Sequence, residues 1–267
     1  MNKVAIFSVP RSGSSWLGQI FNSNSNVLYK FQPNFAYSFE NTLKENSSAQ
    51  EIDEFYQNLI LTNDSFVNAK ITISSKKSIQ FVKQNFTTLV FKETHYINVI
   101  QNLIKNSDTK IIGLIRSPFA VINSWLGIPK EFDPKWDLKN EWKSGKSKNN
   151  GKVFNYFGYF KWKEAAKLFL QLQEQFPEKV KLVNYSNLIS QKEGQIKDVF
   201  EFCDLEYEGQ TKQFLKQSNK RDDKDAYSVF KKKENDNGWK NTLPEFIVNE
   251  IKADEEFQHL NSIFHWI

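Results

Sequence analysis

A chain of 267 residues, 39% hydrophobic and 15% aromatic, can bury the core of one sizeable domain, which excludes disorder as its main state. The formal charge of +5 admits an anionic ligand, yet the 36 cationic residues include only three arginines, Arg11, Arg116 and Arg221, and the lysines read mainly as solvated surface. One cysteine, Cys203, excludes a disulfide framework and a multi-thiolate zinc site, and His95, His259 and His265 lack metal-ligand spacing. No apolar run approaches a membrane span or a signal-peptide core, so a cytoplasmic protein without a bound metal is expected.

In chain order, Val4-Ala5-Ile6-Phe7 is a continuous apolar tetrad bounded by Pro10 and Gly13, as expected of a strand buried on both faces. Trp16-Leu17 and Ile20-Phe21 follow at helical spacing, giving strand, tight turn, helix. Further strands are predicted at Thr88 to Phe91, Lys110 to Ile115 and Val180 to Val183. Helical faces lie between or after them, among them Ile52, Phe55, Tyr56, Leu59 and Ile60, then Trp162, Ala165, Ala166, Phe169 and Leu172, then Ile196, Val199, Phe200 and Cys203. Alternation of this kind predicts an α/β fold: one domain over 1–267, three-layered α/β/α and P-loop-like, with a central parallel sheet. Two polar stretches, 130–152 and 219–238, break the pattern and read as long loops. A capping box, Thr242 to Glu245 with Pro244 in the first turn, announces the last helical region.

The turn Pro10-Arg11-Ser12-Gly13-Ser14-Ser15-Trp16 stands where free backbone N–H groups and the positive end of a helix make an anion site. Gly13 allows close backbone approach, Ser12, Ser14 and Ser15 add hydroxyls, and Arg11 offers a planar fork for phosphate oxygens. The GxxxxGK[ST] signature of ATP and GTP loops is absent, so a nucleotide whose transferred group needs no magnesium is favoured; a serine-rich turn before a helix is the plain alternative. Downstream, Arg116-Ser117-Pro118 follows a predicted strand. Pro118 suits a first helical turn, which lets Arg116 and Ser124, eight residues apart, face one groove.

These segments resemble the sulfotransferase family that uses 3′-phosphoadenosine-5′-phosphosulfate (PAPS). Val9 to Phe21, continued by Tyr29-Lys30-Phe31-Gln32-Pro33, is most similar to the carbohydrate sulfotransferase branch. The resemblance implies that Arg11, Ser12, Gly13, Ser14 and Ser15 hold the 5′-phosphosulfate and that Arg116 and Ser124 hold the 3′-phosphate. Tyr185, in Leu182-Val183-Asn184-Tyr185-Ser186-Asn187-Leu188, is implied to neighbour the adenine, on which Trp16 offers a stacking face. Asn237-Gly238-Trp239-Lys240-Asn241 resembles a late family segment, upstream of which Lys231 to Lys233 stand in place of an arginine and a glycine.

For catalysis the resemblance implies Arg11 at the leaving phosphate and Lys92 at the sulfuryl oxygens. The base is expected in Phe91-Lys92-Glu93-Thr94-His95. The cytosolic branch places a histidine two residues after the lysine, where this chain has Thr94, and the branch glutamate after the first motif is Gln32 here. Glu93 is therefore the expected base and His95 the second choice, with an ion pair between Glu93 and Lys92 as the structural alternative.

The expected reaction is transfer to a hydroxyl of a small molecule or glycan, most plausibly a saccharide, with adenosine 3′,5′-bisphosphate (PAP) as product. A kinase with a degenerate phosphate loop and a non-catalytic adenylate-binding protein are the alternatives. Nucleic acid is not an expected partner, because the lysines are dispersed among acids. The stretch 130–152, with seven lysines, Trp136 and Trp142, reads as solvated surface or as a lid over the acceptor.

Overall fold

The tetrad Val4-Ala5-Ile6-Phe7 lies in the middle strand of a parallel five-stranded sheet, whose strands among the described residues lie in the order 27–31, 88–93, 2–7, 110–115 and 180–184. The computed structural model describes residues 1–69, 80–218, 220, 223, 225, 227–230 and 235–267. In chain order these form β1 (Asn2–Phe7), α1 (Ser14–Asn22), β2 (Val27–Phe31), α2 (Ala49–Leu61), β3 (Thr88–Glu93), α3 (Ile100–Asn106), β4 (Lys110–Ile115) and α4 (Pro118–Leu126). Then come α5 (Leu138–Ser144), α6 (Lys146–Asn149), α7 (Tyr159–Gln175), β5 (Val180–Asn184), α8 (Tyr185–Ser190), α9 (Lys192–Phe202), α10 (Gly209–Ser218), α11 (Glu245–Ala253) and α12 (Glu255–Phe264). Arg221 and Lys231 to Lys233 lie outside the described residues.

Period-two alternation along the strands builds the three layers. Val4, Ile6, Val90, Ile112 and Leu114 pack with α1, α9 and α10 on one face. Ala5, Phe7, Leu89, Phe91 and Ile111 pack with α2, α3, α4, α7, α11 and α12 on the other. Cys203 is fully buried in the first of these cores, where burial pushes its thiol far above the ordinary range. Among the described residues no helix is long and apolar enough to cross a membrane.

Three local expectations change. The stretch Val27–Phe31, not recognised as a strand from sequence, is the edge strand β2, parallel to β3. The stretch 130–152 is not wholly loop, since it contains α5 and α6. Its Trp142 is fully buried against Tyr159 and Trp136 packs on Phe132, so neither ring is a free stacking face. The capping box at Thr242 does not form. Thr242 closes the turn around Trp239, donating its N–H to the Trp239 carbonyl (3.1 Å) and its hydroxyl to Asn123 Oδ1 (2.9 Å), and α11 starts only at Glu245. The geometry forms instead at Ser48 and Glu51, at the start of α2.

Candidate active site

From β1 the chain proceeds toward β3 and β2 on one side, and from β4 toward β5 on the other, so the strand order reverses between β1 and β4. Ligands of open parallel sheets bind at the C-terminal strand ends around such a reversal. A cavity of about 1110 Å³ opens there, lined by both predicted arginine motifs and by the segment after β3. That volume is generous for one small ligand and has room for a nucleotide beside a second molecule.

Behind β1 the backbone takes left-handed values at Arg11 (φ 70°) and Gly13 (φ 91°), and Gly13 caps α1. Gly13 is required twice over. Its φ suits glycine, and a Cβ there would come within 2.4 Å of the Tyr185 ring. The Trp16 N–H donates to the Gly13 carbonyl (3.1 Å), helix geometry gives those of Ser14 and Ser15 no intrahelical acceptor, and all three residues line the cavity with Arg11 and Gly13. Ser12 is fully buried, does not line the cavity, and its Oγ has no hydrogen-bond partner among the described residues. The Trp16 indole donates to Ser218 Oγ (3.2 Å) and meets Tyr185 edge-on at 6.4 Å.

The two motifs, far apart in sequence, meet through hydrogen bonds. Arg11 Nε donates to Ser124 Oγ (3.2 Å), and Arg116 Nη1 donates to the Arg11 carbonyl (2.6 Å). Pro118 begins α4 as expected, placing Ser124 over the cavity. The Arg116 guanidinium lies 4.7 Å from the Tyr185 ring centre and forms a two-pronged pair with Asp236, Nε to Oδ2 at 2.8 Å and Nη2 to Oδ1 at 2.5 Å. Burial disfavours its charge, and the Asp236 carboxylate more than offsets that. Burial lowers the pKa of Arg11, opposed by Glu131, whose Oε1 is 3.6 Å from Nη1.

The segment after β3 separates the catalytic candidates by strand geometry. Lys92 is buried on the cavity side, where it donates to Gln32 Oε1 (2.8 Å) and lies 4.2 Å from the Phe31 ring centre. Burial pulls its ammonium down to about 7. Glu93, the next residue along the strand, projects to the opposite face and does not line the cavity. Its Oε1 accepts from the Asn34 N–H (2.6 Å), Oε2 has no partner among the described residues, and burial pushes the carboxyl up to about 8. The expected base Glu93 is thus held on the Asn34 backbone and is not among the cavity-lining residues.

His95 does line the cavity, past the end of β3, stacked on Phe35 (4.5 Å, 13°). Its Nδ1 is 2.9 Å from Asn155 Oδ1, and Asn155 Nδ2 donates to the Asn149 carbonyl (3.1 Å). The second bond fixes which end of the amide faces the ring, so Nδ1 carries the proton and Nε2 is left as the basic nitrogen. Burial, with help from Lys92, Lys148 and Lys152, lowers the imidazolium pKa to about 4, which keeps the ring neutral near pH 7.

A model of the sulfotransferase domain family matches residues 1–259. The chain belongs to this family. No curated protein sequence matches this sulfotransferase. Its fold is similar to that of the sulfotransferase domain from the curacin biosynthetic pathway, at 15% identity and TM-score 0.55, covering all of this chain and 98% of that one. Mouse sulfotransferase SULT7A1 complexed with PAP is similar at 11% identity and TM-score 0.59, covering all of this chain and 89% of that one. Retinol dehydratase in a complex with retinol and PAP matches at 11% and 0.54, covering 97% and 81%. Sequence reasoning missed Asn155, Phe35 and Glu131, which line the cavity, and Asp236, which pairs with Arg116. Each sits in a connecting segment and is placed only through folding, with no local pattern to mark it.

Proposed function

We propose that this sulfotransferase moves the sulfuryl group of PAPS to a hydroxyl acceptor and releases PAP. The observation that carries the reading is the junction of Arg11, Ser124 and Arg116 at the strand-order reversal. The residues suit a doubly phosphorylated nucleotide, with two guanidinium groups, the free N–H groups of α1 and the hydroxyls of Ser14, Ser15 and Ser124 around one cavity. When bound, PAPS supplies an activated sulfuryl group, whose S–O bond to the 5′-phosphate breaks as the acceptor oxygen bonds to sulfur.

Arg11 and the start of α1 hold the 5′ end and take up charge developing on the leaving phosphate. Lys92, held by Gln32, faces the sulfuryl oxygens, and its buried ammonium is stabilised when negative charge arrives beside it. Arg116 and Ser124 receive the 3′-phosphate, in exchange for Asp236 at the guanidinium. Tyr185 backs both Gly13 and Arg116, and Trp16 offers the adenine its face. His95 Nε2 accepts the proton of the acceptor hydroxyl. A carbohydrate acceptor is supported by the similarity of Phe31-Gln32-Pro33 to that branch and by the rings of Phe35, Phe66 and Phe157, which can stack on a sugar's C–H face.

Calorimetry tests the cofactor assignment. PAP should bind without magnesium, ATP should compete poorly, and Arg116→Ala should lose most of the affinity. Magnesium-dependent ATP binding, or equal PAP binding by the Ala variant, would overturn it.

A further inference from the structure

The cavity is electrically uneven. Its acid Glu131 faces Arg11 at the cofactor end. At the other end His95 lies between two rings, stacked on Phe35 at 4.5 Å and tilted against Phe157 at 6.0 Å. Lys148 leans over that same Phe157 ring, with Nζ 5.3 Å from its centre, and donates to the Lys130 carbonyl at 3.5 Å. Lys148 and Lys130 both line the cavity, and among the described residues neither has a carboxylate within ion-pair distance. Most lysines near the surface are satisfied by water alone. This pair differs in lining a cavity, with Lys148 one ring away from the basic histidine.

We propose that the acceptor is itself an anion: a hydroxylated organic acid whose hydroxyl meets His95, whose carbon-rich face lies on Phe35 and Phe157, and whose negative group meets Lys148 and Lys130. This rests on the sulfotransferase reading above and adds the charge of its substrate. The electrostatics reinforce it. Lys148 and Lys152, with Lys92, work against a positive charge on His95, and an acceptor anion beside these lysines offsets their field. Loading the acceptor then strengthens the base that must deprotonate it, whereas a neutral acceptor leaves the base weak.

Two sources share this chemistry, a hydroxyaryl acid and a uronic-acid saccharide, and matched probes separate them. The wild-type enzyme with PAPS is offered 3-(4-hydroxyphenyl)propanoate against its methyl ester, and methyl glucuronide against methyl glucoside. In one of the pairs the acid should show a KM lower by about fivefold, the scale of one partly exposed ion pair, and Lys148→Ala should collapse that ratio. Equal KM values within both pairs, a preference that survives in Lys148→Ala, or refusal of all four compounds by an enzyme that binds PAP would overturn the proposal. Failure to bind PAP at all would instead overturn the cofactor reading on which it rests.

Discussion

Replacement of Glu93 by glutamine separates a catalytic carboxylate from a carboxyl that shapes the site through the backbone. Glu93 Oε1 accepts from the buried Asn34 N–H, in the loop that places Gln32 on Lys92 and Phe35 on His95. Glutamine keeps that acceptor, so turnover of Glu93→Gln should stay within about threefold of wild type, the orphaned amide protons costing about 1 kcal/mol of stability. Leucine removes the acceptor. It should cost about 2 kcal/mol for the orphaned Asn34 N–H and lower turnover by roughly tenfold as the loop loosens. The pH dependence of stability gives a second readout. Because burial pushes the carboxyl up to about 8, the folded chain keeps a proton that the unfolded chain releases near its ordinary carboxyl pKa. The wild type therefore loses this stabilisation as pH rises from 5 to 7, approaching about 1.4 kcal/mol per pH unit, and Glu93→Gln does not. Thermal unfolding of both proteins at pH 5, 6 and 7, beside turnover with whichever probe acceptor the wild type uses fastest, makes the comparison. A hundredfold loss of turnover in a folded, PAP-binding Glu93→Gln variant would refute the reasoning and return the base to Glu93.

Two further outcomes follow from the same geometry. Asp236→Asn removes the carboxylate paired with Arg116 and should tighten PAP binding by about tenfold in calorimetry, the worth of one charge-assisted bond; weaker binding would make Asp236 a brace for the arginine instead. Asn155→Asp puts a negative charge beside His95 Nδ1, so the acid limb of kcat/KM, set by an imidazole held at about 4, should rise by about 1–3 pH units, while Asn155→Leu should lower kcat without moving PAP affinity.

Much of this was written locally in the chain. Val4 to Phe7 needed only its apolar run to be read as a central strand, and Pro118 its fixed φ to be read as a helix start. Scarce arginine in a lysine-rich chain pointed to Arg11 and Arg116, and the two are joined by a 2.6 Å hydrogen bond. The base was harder because Lys92, Glu93 and His95 are neighbours in sequence and are sorted by the alternation of β3 and the turn after it. The apolar run ended the strand at Phe91, whereas β3 continues through Lys92 to Glu93. Asp236 and Asn155 were beyond reach for another reason: each acts through a partner more than fifty residues away, and neither carries a spacing that marks it. Trp142 misled because a tryptophan among lysines looks exposed until α5 packs it on Tyr159.

The most direct test is the rate at which labelled sulfate passes from PAPS, in His95→Gln beside the wild type, to whichever of the four probe acceptors above the wild type uses fastest, with PAP affinity measured on the same preparations. Wild type should transfer the label and the variant should be slower by roughly 100-fold with PAP affinity unchanged, because only the proton acceptor has been removed. Transfer at the wild-type rate by His95→Gln, or no transfer by the wild type from PAPS, would contradict the account.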